Sequence, residues 1–427
     1  MPEQLFPVTI AGAGIVGSVL ALALAQAGHR VCLIEARPPA VDPADPRGRR
    51  PIALSLASER IFRGLGIWPA IAPHAAAIRM VHVSERGHFG MTRIRAGECG
   101  VGALGQVCEA QYIEAALAGA LDDYTGSMGS VQRLCPFRVR QADPREHRVQ
   151  VQLGAAESPG EVVKTLQSRL LVAADGADSG LRDAYQLPVL EREYRQLALV
   201  CRVRTTEPHQ GRAFERFTGQ GLLALLPLAD GGSAVVWSLP GPLAGDLAAH
   251  DDDRFMAIVQ EQFGQRLGQL NAVSARHCFP LKLVKSRALT GPRFAIVGNA
   301  AQQLHPVAGQ GLNLGLRDVA LLAELVAGQL QGGGDPGSPG LLKAYARRRR
   351  DDRRWVTGFT DLLARGITPR FAKLSPVRAM GLLCVDLLPF VKSTLARRTM
   401  GLAGYQPRLV RGLALQGPEP ACPELGR

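Results

Sequence analysis

Residues 298–318 read GNAAQQLHPVAGQGLNLGLRD, and this stretch decides the fold. An apolar strand at 294–297 runs into a loop holding Pro306, Gly309, Gly311 and Asn313, and the loop leads to a helix predicted to begin near Leu314. Glycine has no Cβ, so a planar ring system can lie directly on such a loop, and the amides at the helix start can face an anionic edge. The ligand this chemistry fits is a flavin.

The N-terminal end points to the same ligand. Residues 8–11 are a short apolar strand, followed by GAGIVG at 12–17 and an alanine- and leucine-rich helix through Ala27. A second strand, 31–34, ends at Glu35. This is the order of a dinucleotide fingerprint: Gly12 makes the tight turn, Gly14 admits a pyrophosphate, Gly17 lets helix and strand pack closely, and Glu35 can bond ribose hydroxyls. A GxGxxG by itself is weak, and a structural glycine turn is its bland alternative. The strand, helix, second strand and terminal acid around it carry the weight.

A third strand-to-helix junction lies between these two, where 170–174 leads into DGADSGLR at 175–182. From about residue 190 the texture becomes β-rich, with segments at 197–203, 212–217, 222–228 and 233–239, and Asp230-Gly231-Gly232 reads as a hairpin turn. The expected fold is therefore α/β, a Rossmann-like FAD-binding domain with an inserted, mainly antiparallel β-sheet substrate domain and a helical C-terminal segment. The expected boundaries are 1–188 and 286–330 for the two parts of the FAD-binding domain, 189–285 for the substrate domain and 341–427 for the C-terminal segment. The Gly- and Pro-rich stretch 331–340 reads as a flexible connector.

The chain is long enough, at 427 residues, to bury full cores in two or three domains. No apolar run reaches the roughly 18 residues that a membrane span needs, and the start lacks the pattern of a secretory signal. A cytoplasmic enzyme is expected. Eight cysteines are scattered without a CxxC pair, which argues for buried free thiols and against zinc ribbons, dithiol centres or a disulfide scaffold. No metal set stands out.

The net charge of +13 is concentrated. Between positions 343 and 411 there are 16 Lys and Arg against 4 Asp, so this segment carries +12. Interleaved with apolar residues, it suits amphipathic helices at a membrane surface or a protein partner, or a helical subdomain with a solvated basic face. No nucleic-acid-binding module is recognisable.

The three motifs in this order, GAGIVG, DGADSGLR and GNAAQQLHPVAGQGLNLGLRD, resemble those of the FAD-dependent aromatic hydroxylases built like para-hydroxybenzoate hydroxylase. The likeness spans essentially the whole chain. Residues 81–88, 103–107 and 211–218 narrow it to the ubiquinone-biosynthesis branch, and within it to the 2-polyprenyl-6-methoxyphenol hydroxylases. The resemblance implies that Gly12, Gly14, Gly17 and Glu35 hold the ADP half of FAD, that Arg50 approaches the cofactor, and that Asp175, Gly176 and Arg182 serve FAD and the nicotinamide donor. It places Pro306, Gly309, Gln310, Gly311, Leu312 and Asn313 beside the isoalloxazine, with Asn299 in the position of an aspartate in the wider class. Glu109 stands where that class usually has Arg.

The implied reaction consumes NADPH or NADH and O2, and hydroxylates a polyprenylated phenol through a flavin C4a-hydroperoxide. Contacts with the inner membrane surface or with a ubiquinone-biosynthesis complex would run through the basic C-terminal segment. No general base is identifiable. His305 and Arg216 are the weak candidates for a catalytic role, each with a structural alternative, a turn-shaping histidine and a solvated strand face. Another FAD oxidoreductase of the same fold and a flavin-containing scaffold subunit remain as alternatives. A halogenase is disfavoured, because Trp68, Trp237 and Trp355 form no WxW element.

Overall fold

Three parallel strands set the architecture. Leu5–Ala11, Lys164–Ala173 and Phe294–Ile296 lie side by side, with Ala11 opposite Ala173 and Ala173 opposite Ile296. Val31–Ile34 and Val131–Leu134 extend the sheet beyond the first strand. Apolar runs buried at their C-terminal ends are what a covered parallel sheet requires. Because the three strands end together, the loops that follow them leave from one edge of the sheet. The computed structural model describes residues 4–37, 48–124, 130–156, 162–366 and 375–415. Most of the loop at 37–51, Cys422 and the basic residues Arg370 and Lys373 lie outside them.

Among the described residues the second sheet has nine strands and is antiparallel except at one pairing. Its spine is the long strand Val189–Thr205, flanked by Ser233–Pro240 and His277–Ser286. Arg212–Phe217 pairs in parallel with Met80–Glu85, which in turn pairs with Met91–Arg95. Two strands of this sheet thus come from within residues 1–188, the span expected to belong to the FAD-binding domain. Their alternating pattern marks them as strands, but nothing local names a partner so distant in the chain. Helices Gly241–Ala249 and Asp252–Phe263 cover one face of the sheet, burying Trp237, Phe214, Phe255 and Phe263 together.

A third, small sheet of Pro51–Ser55, Gly105–Glu109 and Ala75–Ile78 lies between the second sheet and the helix Gln310–Gln331. The Glu109 carboxylate accepts a 2.7 Å bond from Arg202 of the long strand. The acid at the position where the wider class has Arg therefore ties the small sheet to the second one.

Four expectations change here. The helix after the late glycine motif spans Gln310–Gln331 and not residues from 314 onward, so Gln310, Gly311, Leu312 and Asn313 form its first turn. Glycine and asparagine in a first turn look like loop residues, which is why the sequence places the start too late. The 331–340 stretch is anchored and not a flexible connector, because Asp335 is held by Arg293 at 2.6 and 3.0 Å. The basic C-terminal segment is in part structural. On helix Pro339–Gly366, Arg349 and Arg353 are buried, Arg349 pairing with buried Asp318 at 2.7 Å and Arg353 bonding Gln302 and the carbonyls of Ser286 and Ala301. The thiols also divide. Cys32, Cys108 and Cys201 are buried, whereas Cys135 and Cys384 are exposed.

Candidate functional site

The three motifs meet at the edge where the parallel strands end. A Cβ on Gly12 would lie 2.4 Å from the Ala174 carbonyl oxygen, and one on Gly17 would lie 1.9 Å from the Gly12 carbonyl oxygen. The first and middle motifs can touch only because both residues lack that atom. The late motif closes on the same point. A Cβ on Gly315 would sit 2.8 Å from the Gly298 Cα, and one on Gly298 would strike Val16, two residues after Gly14. Gly14 and Gly311, by contrast, have open space where a Cβ would be.

Around this junction the remaining motif residues are placed as follows. Glu35 accepts from the Ala13 amide at 2.7 Å and the Arg37 amide at 3.0 Å, fixing the glycine turn while keeping acceptor capacity on both oxygens. Arg50 is exposed at the start of strand Pro51–Ser55, at the end remote from Asn313. Asp175 is accessible, yet desolvation by the protein around it pushes its carboxyl up, with hydrogen bonding from Ser179 pulling the other way. Gly176 takes a positive φ beside it. Arg182 is buried and ties two loops together, donating to the carbonyls of Ala177 at 2.7 Å and Ala300 at 3.4 Å. Asn299 is exposed in the short turn Gly298–Ala300.

The late loop is held from inside. Pro306 accepts from the Gly309 amide, and Ala308 and Gly309 both have positive φ. The Asn313 amide group donates to the carbonyls of Ala53 (2.8 Å) and Gly309 (2.6 Å) and accepts from the Ser55 amide (2.8 Å) and the Ser58 hydroxyl (2.7 Å). Two donors and two acceptors are the full capacity of an asparagine side chain. Asn313 therefore clasps loop to strand, and what it leaves for a ligand is its place in an uncapped helix start. Leu312 packs against the main core.

His305 is also a shaping residue. Its Nδ1 accepts from the Val307 amide at 3.2 Å, so the proton sits on Nε2, which faces Gln196 Oε1 at 3.2 Å. Burial holds it down at about 4, leaving it neutral near pH 7.

Against the late loop lies a cavity of about 620 Å³. Its floor is Ala53, Ser55, Ala308, Gln310 and Asn313, its wall includes Val83, Thr92, Glu215 and Phe217, and its roof comes from the C-terminal helices through Leu362, Val377, Arg378 and Leu382. Arg216 does not reach it. Side chains alternate along a strand, so Glu215 and Phe217 face the cavity and Arg216 points to the opposite side, near Arg266 and Arg86. The residue that sequence reasoning passed over is Glu215. Strand periodicity was the available signal, since Glu215 and Phe217 share a face and Arg216 cannot.

The residues fit an FAD. Two helices, Ile15–Gln26 and Gln310–Gln331, begin at this junction without a side-chain cap, so their first amides remain available to anionic groups. Gly14 and Gly311 leave their approaches clear, and Gln310 Oε1 is a buried acceptor without a partner among the described residues.

Comparison with known proteins gives the same picture. The FAD binding domain family matches residues 6–360. A ubiquinone hydroxylase, UbiL, of Rhodospirillum rubrum is 32% identical over 421 residues, covering 97% of this chain and 94% of that protein. The 3-demethoxyubiquinol 3-hydroxylase of Escherichia coli is 29% identical over 404 residues, covering 94% of this chain and all of that one. Among solved structures, p-nitrophenol 4-monooxygenase PnpA from Pseudomonas putida superposes with a TM-score of 0.75 over 95% of this chain and 100% of its own, at 17% identity. That last likeness is one of fold.

Proposed function

The chain belongs to the FAD binding domain family, and from that premise we propose that it is an FAD-dependent monooxygenase that hydroxylates the aromatic ring of a polyprenylated phenol in ubiquinone biosynthesis, using NAD(P)H and O2. The relatives named for ubiquinone hydroxylation support the substrate class. The observation that carries the reading is the apolar cavity floored by the late glycine loop. Its volume lies within the roughly 300–1,000 Å³ usual for small-molecule sites, and its lining is mostly aliphatic, as a prenylated ring requires.

Gly12, Gly14, Gly17 and Glu35 would hold the ADP half of the cofactor, with Asp175, Gly176 and Arg182 forming the adjoining wall. Pro306, Gly309, Gln310, Gly311 and the first turn that Asn313 clasps would support the ring system. Bound FAD would supply the redox chemistry, namely oxidation of NAD(P)H and activation of O2 for transfer to the ring. The protein's share is to seat the phenol against the loop and keep water from it. Val83, Ile94, Phe217 and Leu382 line a chamber that favours the ring over solvent.

The tail needs an exit, and the roof provides one. Leu362 and Val377 line the cavity, yet are 69% and 66% exposed, so the chamber opens among surface apolar residues. Met380, Leu387, Leu388 and Phe390 continue that surface along helices Ser375–Leu387 and Pro389–Thr399, which meet at a bend of 97°. No single helix among the described residues is long and apolar enough to cross a membrane. We read the bent pair as resting on a bilayer surface, from which the tail slides into the mouth. Peripheral attachment thus rests on the apolar elbow more than on the charge of the C-terminal segment.

NAD(P)H oxidation by the FAD-loaded protein tests the assignment. Stimulation by a prenylated phenol with formation of a hydroxylated product supports it. Oxidation indifferent to every phenol, with peroxide as the sole oxygen product, opposes it.

A further inference from the structure

Almost every polar group on the cavity wall is already engaged within the protein. The Thr92 hydroxyl donates to the Leu382 carbonyl, and the Thr399 hydroxyl to the carbonyls of Leu395 and Ala396. Asn313 is saturated, and Ser55 Oγ accepts from Ser58. Arg378 gives Nε and Nη2 to the Glu85 carboxylate at 3.0 and 2.8 Å and Nη1 to the Gly366 carbonyl. Gln310 donates its amide to the carbonyls of Ala308 and Thr399.

Gln310 Oε1 is left as a neutral acceptor, and Glu215 is the one ionisable group of the described lining whose side chain is not tied up by another. It sits in the middle of strand Arg212–Phe217, opposite Val83 on one side and Ala224 on the other, so its carboxylate projects between aliphatic neighbours. Among the described residues it is hydrogen-bonded by the backbone of Ala308, the positive-φ residue of the late loop. A carboxylate has room for several donors, and this one keeps most of that capacity facing the chamber.

We propose that Glu215 is the substrate-contacting base of the hydroxylation: it accepts a hydrogen bond from the phenol hydroxyl and takes its proton. The phenol O–H bond breaks, its electron pair stays on the phenol oxygen and enriches the ring, and a new O–H bond forms on the Glu215 carboxylate. No oxidant or further reactant takes part in the transfer. Contact with Ala308 places the accepting oxygens at the loop that supports the flavin, so a phenol held there is within the reacting region. The setting suits the task. Desolvation pushes the Glu215 carboxyl up to about 7, with the Ala308 hydrogen bond pulling the other way, which narrows the gap to a phenol near 10. Arg378, the other ionisable side chain on the wall, is held by Glu85 and leaves the role to Glu215.

This assignment rests on the aromatic-hydroxylase reading, and the experiment separates the two. Glu215→Gln keeps the size of the side chain and an acceptor for Ala308, but cannot take a proton. The variant is expected to hold FAD and melt like the wild type, while hydroxylated product falls on the order of 100-fold. NAD(P)H oxidation should persist with peroxide as its product. A prenylated phenol made more acidic by ring fluorination needs less help from a base, so it should recover much of the product lost in the variant. Product within about threefold of wild type, or a variant equally impaired with the acidic and the ordinary phenol, overturns the role of Glu215 alone. Loss of FAD from the variant assigns Glu215 to holding the loop and overturns it as well. A wild-type protein that hydroxylates no phenol removes the hydroxylase reading itself.

Discussion

Arg349 Nε donates to Asp318 Oδ1 at 2.7 Å, joining the long C-terminal helix to the helix that begins under the late glycine loop. Both side chains are buried, and Asp318 also accepts from Gln302 at 2.6 Å. Asp352 continues the network, held well down at about 2 by Arg317 and Arg349 against the opposing effect of burial. A run of four arginines, 347–350, thus contains one structural member between exposed ones.

Removing that member should be costly. Arg349→Met leaves the buried Asp318 without its cationic partner, and the expected loss is about 3–5 kcal/mol, read as a lower urea midpoint. Arg347→Gln and Arg350→Gln, at exposed positions, should change stability by less than about 0.5 kcal/mol. Equal effects at the three positions would remove Arg349 from the core.

Two glycines of the first motif should fail in different ways. Gly17→Ala places a methyl 1.9 Å from the Gly12 carbonyl oxygen, so the FAD-free protein itself should melt lower. Gly14→Ala meets nothing in the protein, so its FAD-free form should melt like wild type while FAD binding weakens on the order of tenfold or more. Undiminished FAD binding by Gly14→Ala would mean that no ligand passes over that residue.

His305 makes stability depend on pH. Its folded value is held down at about 4, below the ordinary 6.5 of an unfolded chain, so the unfolded state binds the extra proton. The contribution is complete above pH 6.5 and declines as pH falls toward 4, by up to about 3 kcal/mol in all. Urea unfolding should show the wild-type advantage over His305→Gln shrinking across that window. A constant advantage would place the ring in solvent.

The apolar elbow should carry bilayer attachment. Burying a large apolar side chain is worth about 1.5–3 kcal/mol, and Leu387 and Phe390 are 67% and 80% exposed. Replacing both by Ser should weaken sedimentation with anionic phospholipid vesicles by at least about tenfold, without altering FAD content. Hydroxylation of long-chain phenols should slow, while short-chain phenols react as before. Unchanged vesicle binding would contradict the elbow as the contact.

How far the sequence could be read follows from where its constraints are local. The three glycine loops were legible because strand, turn and helix sit within a few residues of one another, and the chemistry of each turn is written in its glycines. The junction between them was legible only in outline. That Gly315 meets Gly298, and Gly12 meets Ala174, depends on strands far apart in the chain coming into register. Asn313 looked like a ligand and is a clasp, because its partners Ala53, Ser55 and Ser58 lie some 255–260 residues earlier. Arg216 is a weak candidate in the sequence and Glu215 none, because only the face of the strand, fixed by its pairing with distant strands, decides which of the two meets the cavity. Arg349 and Arg353 were read with their neighbours as surface charge, since a helix places one in three or four residues inward without any change in residue type.

The most direct test of the central claim is the fate of molecular oxygen. The FAD-loaded protein is given NAD(P)H, isotopically labelled O2 and a prenylated phenol, and the product is weighed by mass spectrometry. The account predicts a phenol that has gained one labelled oxygen atom on its ring. A product carrying unlabelled oxygen, or phenol recovered unchanged while O2 is consumed, would contradict it.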